Sequence, residues 1–175
     1  MTPELRERAR AVRLLVLDAD GVLTNGLLYY GDDGVEVKPF HIQDGLGLRM
    51  LMASGIQVAI ITGRSSRAVQ ARAEDLGITH VYQRASDKLA VFEQVLSRLA
   101  LNGACAAAMG DDLPDLPVLR RCRFAACVPE APAVVRRHAH YVTQRQGGGG
   151  AVREVCELLL LAQGMLEARL QEYLR

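Results

Sequence analysis

Leu14-Leu15-Val16-Leu17-Asp18-Ala19-Asp20-Gly21-Val22-Leu23-Thr24 runs from an apolar, strand-like segment straight into two carboxylates. Side chains at i and i+2 share one face of an unbroken strand, and a glycine directly after them lets the backbone turn. Asp18 and Asp20 are therefore expected to crowd into one small pocket. Like charges that close are unfavourable unless a cation or a shared proton relieves them. The motif thus asks for a hard divalent metal, with magnesium the natural candidate.

Outward from this stretch, apolar runs alternate with segments of helical period. Strands are expected at Arg13–Leu17, Gln57–Ile61, His80–Gln83, Ala104–Met109 and Phe124–Val128. Helices are expected at Gly45–Ser54, Ser66–Leu76, Asp87–Leu101 and Asp115–Arg121. Alternation of this kind argues an α/β fold: a mainly parallel sheet, helices on both faces, and functional groups at the carboxyl ends of the strands. Gly55, Gly77 and Gly103 follow helix-like segments, where left-handed caps are expected.

One segment breaks the alternation. Between Gly26 and Phe40, the runs Leu27-Leu28-Tyr29-Tyr30 and Val35-Glu36-Val37 flank Gly31-Asp32-Asp33-Gly34, which reads as a β-hairpin beside the carboxylate pair. It is either an ordinary surface hairpin or a flap over the site. Near the end, Gly147 to Gly150 precede a last helix, Ala151–Leu170, and read as a tail hinge that can fold over a neighbouring site, or merely as a linker. With no internal repeat and no composition break, residues 1–175 are expected to form one domain, with the hairpin at 26–40 and the glycine hinge and helix at 147–175.

Composition narrows the function classes. Half the residues are hydrophobic, enough for a substantial core in a chain of 175. Its 21 basic and 20 acidic side chains leave a net charge of +1, so no global field favours nucleic acid or an anionic membrane. The Arg- and Glu-rich start lacks the apolar core of a secretory signal, and Leu158–Ala162 is too short to span a bilayer; a cytoplasmic protein is expected. Cys105, Cys122, Cys127 and Cys156 form no C-x-x-C pair and read as buried, reduced thiols.

Each strand end in turn offers a polar group suited to phosphate chemistry: Asp18 and Asp20, then Thr62-Gly63-Arg64, then Asp87-Lys88, then Gly110-Asp111-Asp112. Singly these are weak, since such a Thr is often a helix cap and such a Lys a solvated charge. In this order and spacing they resemble the four motifs of the haloacid dehalogenase superfamily of aspartate-based phosphotransferases. The resemblance implies a three-layer Rossmann-like fold. It implies Asp18 as nucleophile, forming an aspartyl-phosphate, and Asp20 as general acid and base. Mg²⁺ would be held by Asp18, the Asp20 backbone carbonyl and Asp111, while Thr62 and Lys88 bind phosphoryl oxygens and Asp112 and Asp115 position Asp111 or Lys88.

Superfamily members usually carry a cap domain between the first and second or the second and third motifs, and neither gap here is long enough for one. A capless site is open to water, so closure is expected from the hairpin or another subunit, which makes a homotetramer the expected assembly. Lys38-Pro39-Phe40-His41-Ile42-Gln43-Asp44-Gly45-Leu46-Gly47 and Gly150-Ala151-Val152-Arg153-Glu154 point to one subfamily, and the resemblance runs from about Arg13 to Gly164. They resemble the capless 3-deoxy-D-manno-octulosonate 8-phosphate phosphatases, which make Kdo for lipopolysaccharide. That resemblance implies a sugar-acid phosphate substrate gripped by His41, Ile42, Gln43, Asp44 and Gly45, by Gly63, and by Arg49, Arg64 and Arg72, whose forked guanidinium donors suit carboxylate and phosphate. The subfamily often has a basic residue where this chain has Gly149; Arg145 or Arg153 is expected to supply that charge.

Two rivals stand beside this reading. A phosphatase for a sialic-acid or KDN 9-phosphate would share the scaffold and hairpin. A phosphorylatable receiver-type signalling domain also gathers acids, a Thr and a Lys around Mg²⁺, but its acceptor Asp lies on the third strand rather than the first.

Overall fold

The computed structural model describes residues 1–174. Helix α1 (Pro3–Arg10) starts on a Thr2 side chain that accepts the Leu5 N–H, with Pro3 and Glu4 in its first turn. Strand β1 (Leu14–Leu17) follows, then a wide turn over Ala19–Leu23. The hairpin strands β2 (Tyr29–Tyr30) and β3 (Glu36–Val37) come next, then α2 (Ile42–Ala53), β4 (Gln57–Ile61), α3 (Arg67–Leu76) and β5 (His80–Tyr82). The second half runs α4 (Lys88–Arg98), β6 (Ala106–Gly110), α5 (Leu116–Arg121), β7 (Phe124–Cys127), α6 (Ala133–Arg136), β8 (Tyr141–Val142), α7 (Ala151–Ala162) and α8 (Leu166–Gln171).

Six strands form one sheet in the order β5-β4-β1-β6-β7-β8, every neighbouring pair parallel. β2 and β3 pair antiparallel on their own. Helices α1, α2 and α7 pack together as one layer, and α4 packs with α5 as another, so the sheet lies between helices. β1 sits at the centre, fully buried, and the flanking β6 is Ala106-Ala107-Ala108-Met109-Gly110, whose small side chains let helices approach closely. Because the strands run the same way, their carboxyl ends deliver Asp18, Thr62 and Asp111 to one edge. Among the described residues, no separate cap domain interrupts this arrangement.

Differences from the sequence reading concern short or terminal elements. α1, α6 and β8 were not among the expected elements; the four residues of α6 and the two of β8 are too few to show a period. Gly55 and Gly77 adopt left-handed φ, but Gly103 lies in a 3₁₀ turn, and the left-handed position is taken by Ala100 at φ 54°. The expected terminal helix breaks at Gly164, φ 72°, into α7 and α8. All four cysteines are free thiols; burial pushes Cys122 up to about 12 and Cys127 to about 11, so neither is a ready nucleophile.

Candidate active site

The edge where β1, β4 and β6 end opens as a cleft of about 430 Å³ walled by Asp18, Asp20, Thr62, Arg64, Lys88 and Asp111, with Gly63, Asp112 and Asp115 also on its lining. Asp18 is the first residue after β1, its N–H tied to the Met109 carbonyl at 3.1 Å, and its Oδ1 accepts the Ala19 N–H at 2.7 Å. Lys88, the first residue of α4, is 8% exposed and places Nζ 2.9 Å from Asp18 Oδ2 and 2.7 Å from Asp115 Oδ1. Thr62 is buried at the mouth, held by its backbone between the Tyr82 carbonyl and the Ala85 N–H.

The acidic cluster brings together two of the carboxylates expected at the metal and adds Asp115. Carboxylate oxygens of Asp18, Asp111 and Asp115 all lie within 4.8 Å of one another, whereas the Asp20 side chain is not among them. Asp115 is already engaged: besides Lys88 it accepts the N–H groups of Asp111 at 3.0 Å and Asp112 at 3.2 Å. Asp112 in turn caps the turn Leu113–Asp115 by accepting the Leu113 N–H at 2.7 Å. Asp18 is engaged as well, accepting the Ala19 N–H and pairing with Lys88, which leaves Asp111 the least committed of the three.

Their electrostatics ask for a cation. Burial, then the Asp115 charge, pushes Asp18 up to about 6 against the pull of Lys88. Burial and the charges of Asp18 and Asp115 push Asp111 up to about 7. Lys88 is raised despite its burial, because Asp18 and Asp115 favour its ammonium. Two oxygen donors that near-neutral pH holds reluctantly ionised, beside a third fixed by hydrogen bonds, suit a hard divalent ion. A Cβ at Gly21 would lie 2.0 Å from Asp111 Oδ2, and Gly21 itself sits at φ 86°, so only glycine lets this carboxylate close on the loop.

Asp20 turns the other way. Its Oδ1 accepts from Lys38 Nζ, and its Oδ2 lies 3.6 Å from Arg64 Nε. Lys38 also lies 3.2 Å from Glu36 Oε1, and Arg64 Nη2 binds Glu36 Oε2 at 2.5 Å and faces the Tyr30 hydroxyl at 3.4 Å. The hairpin therefore reaches the site through Tyr30, Glu36 and Lys38, residues that sequence reasoning did not assign a role. Glu36 and Tyr30 were signalled only by their place on a hairpin beside the D-x-D pair, and Lys38 also by opening the stretch Lys38–Gly47.

The glycine tract is seated, not loose. Gly148 donates to the Val22 carbonyl at 3.0 Å, and a Cβ at Gly147 would come within 1.9 Å of the Gly21 carbonyl oxygen. Gly147 and Gly148 form a wedge against the D-x-D-G loop of their own chain. Arg153, expected as a source of positive charge, pairs with Glu157 at 2.6 Å, and both it and Arg145 line a separate cavity with Gln43.

The remaining predicted substrate residues lie around α2. His41 stands at its N-cap position, Gln43 and Ile42 are exposed, and Ile42 is 83% exposed. Asp44 is 2% exposed; its Oδ1 accepts the Arg153 N–H at 2.7 Å, while its Oδ2 is buried without a hydrogen-bond partner. α7 begins on Gly150, which has no side chain to cap it, so Asp44 caps α7 from the neighbouring helix. Gly45 fits closely under Arg72, whose Nη2 would be 2.2 Å from a Cβ there. Arg72 and Arg49 both bind Asp75, Arg72 Nη1 at 2.9 Å and Arg49 Nη2 at 3.5 Å, and neither lines the main cleft.

Comparison with known proteins places the geometry among phosphatases. The haloacid dehalogenase-like hydrolase family profile matches residues 47–123. The chain is 47% identical over 167 residues to the 3-deoxy-D-manno-octulosonate 8-phosphate phosphatase KdsC of Salmonella typhimurium, covering 95% of this chain and 89% of that one. It is 49% identical over 160 residues to KdsC of Escherichia coli K12, covering 91% and 85%. Among solved structures, the Moraxella catarrhalis phosphatase of the same name, in complex with magnesium ion, phosphate ion and a KDO molecule, superposes with a TM-score of 0.97 at 42% identity over 99% of both chains.

Proposed function

The chain belongs to the 3-deoxy-D-manno-octulosonate 8-phosphate phosphatases of the haloacid dehalogenase-like hydrolases, and on that premise we propose that it hydrolyses 3-deoxy-D-manno-octulosonate 8-phosphate to Kdo and inorganic phosphate in lipopolysaccharide biosynthesis. The observation that carries the assignment of roles is the contact of Asp18 Oδ2 with Lys88 Nζ at 2.9 Å inside a cleft that also holds Asp20, Thr62, Arg64 and Asp111.

A phosphate monoester is anionic and repels a carboxylate nucleophile until positive charge offsets it. Asp18 and Asp111, with the Asp20 backbone carbonyl, would hold the magnesium ion, which when bound neutralises phosphate charge. Lys88 is placed to neutralise phosphoryl oxygens beside the nucleophile, and Thr62 to donate a hydrogen bond to them. Asp18 forms the new bond to phosphorus as the bond to the sugar oxygen breaks, and Asp20 gives that oxygen its proton. Water then attacks phosphorus, Asp20 takes its proton, and the bond to Asp18 breaks to free phosphate. Arg64, nearly half exposed at the cleft, is placed to meet the sugar acid's carboxylate. The roles of His41 and Gln43 in gripping the sugar rest on their position at the start of α2.

The apolar hairpin beside an open cleft supports closure by neighbouring copies in a homotetramer. No described helix is long and apolar enough to cross a membrane. A cytoplasmic site of action fits the phosphorylated sugar-acid substrate. The test is phosphate release from a panel of Kdo 8-phosphate, a sialic-acid 9-phosphate and a neutral hexose phosphate, with Mg²⁺ and with chelator. Preference for Kdo 8-phosphate, lost in Asp18→Asn, is expected; preference for the hexose phosphate overturns the substrate assignment.

A further inference from the structure

One buried cation has no part in the chemistry above. The Lys38 side chain, just after β3, is 1% exposed, and burying an ammonium is costly unless it is paired and hydrogen-bonded. Its partners are Asp20 Oδ1 and, at 3.2 Å, Glu36 Oε1. With Arg64 facing Asp20 Oδ2, both oxygens of that carboxylate look toward cations supplied from outside the Asp18–Asp111 cluster. A carboxylate two residues from the nucleophile would otherwise find its strongest attraction in a divalent ion bound there. Drawn onto that ion it becomes one more ligand and cannot hand a proton to a leaving oxygen.

We propose that Lys38 is a positioning residue that holds the Asp20 carboxylate away from the metal cluster and on the leaving-group side of the cleft. The inference deepens the reading of Asp20 as acid and base and rests on it. It also gives the hairpin a part in the chemistry, because Glu36 ties the same strand to Arg64, so that the position of β3 and the direction of Asp20 are set together.

The test compares kcat/KM, which reports phosphoenzyme formation, for Kdo 8-phosphate and for p-nitrophenyl phosphate, whose leaving group departs without a proton. In Lys38→Met the alkyl ester is expected to lose about a hundredfold and the aryl ester less than about threefold, in the range that general acid catalysis supplies. Mn²⁺ binding without substrate, read by electron paramagnetic resonance, is expected to tighten as Asp20 joins the ion. Lys38→Arg, which keeps a cation, is expected to restore part of the alkyl activity. Equal losses on both esters with unchanged Mn²⁺ affinity overturn the proposal, because the lysine then only props the hairpin; unchanged kinetics overturn it too. If methionine prevents folding, Lys38→Gln, which keeps a donor of similar length, carries the same comparison. Asp20→Asn run alongside separates the two ideas: if it does not discriminate between the esters, the acid assignment fails rather than the positioning one.

Discussion

At the scale of residues, the site is defined by carboxylates held where they are reluctant to ionise. Asp18 and Asp111 have an ordinary value of 3.8 and sit at about 6 and about 7 in the folded chain. Between these limits the native state binds more protons than the unfolded one, so metal-free stability falls as pH rises through that window. Below about pH 4 both states are protonated and no penalty applies; above about pH 7 the penalty is complete. The metal-free protein is therefore expected to melt at a lower temperature near pH 8 than near pH 5, with Mg²⁺ closing most of the gap. Asp111→Asn should flatten the dependence, and a metal-free melting profile equally steep in that variant would contradict the argument. Asp18 and Asp111 were legible in the sequence because their motifs are contiguous. Lys38 and Glu36 were not: a salt bridge between a hairpin and a loop eighteen residues before Lys38 leaves no periodic trace.

At the scale of elements, the contact between the glycine tract and the D-x-D-G loop is steric. Gly147→Ala would drive a methyl group onto the Gly21 carbonyl, backbone against backbone, and is expected to cost about 1–3 kcal/mol of stability as well as activity. Gly149→Ala meets the Gln146 carbonyl oxygen first, at 3.2 Å, and should cost clearly less in a chemical denaturation series. If the two variants unfold at the same denaturant concentration, the wedge is not tight. The sequence announced the glycines, but their partner is more than a hundred positions away, so a tract that packs and a tract that swings look alike in one dimension. Asp44 has a tertiary partner that is hidden for a similar reason. A carboxylate in a distinctive motif reads as a ligand for substrate, and only the tertiary fold reveals an orphaned helix start beside it. Asp44→Ala is expected to lower stability by about 1 kcal/mol through loss of that cap.

At the scale of the whole molecule, the hairpin presents Leu27, Leu28, Tyr29, Tyr30, Val35 and Val37 to solvent, an apolar surface beside a cleft that has no cap. Light scattering is expected to find four subunits, and Leu28→Glu to shift the population toward smaller species with a raised KM for the sugar phosphate. A fully active monomer would remove the closure argument. The parallel sheet, by contrast, followed from alternation alone, because each βα repeat is long and its central strands are buried on both faces. Of its two edge strands, β5 was legible at His80–Gln83, whereas the two-residue β8 is too short to advertise itself.

The wedge at Gly147 and Gly148 also sets an order of events during synthesis. Asp18 and Asp20 leave the ribosome more than a hundred residues ahead of the segment that braces their loop. A nascent chain halted before that segment therefore carries the first carboxylate pair on an unbraced turn.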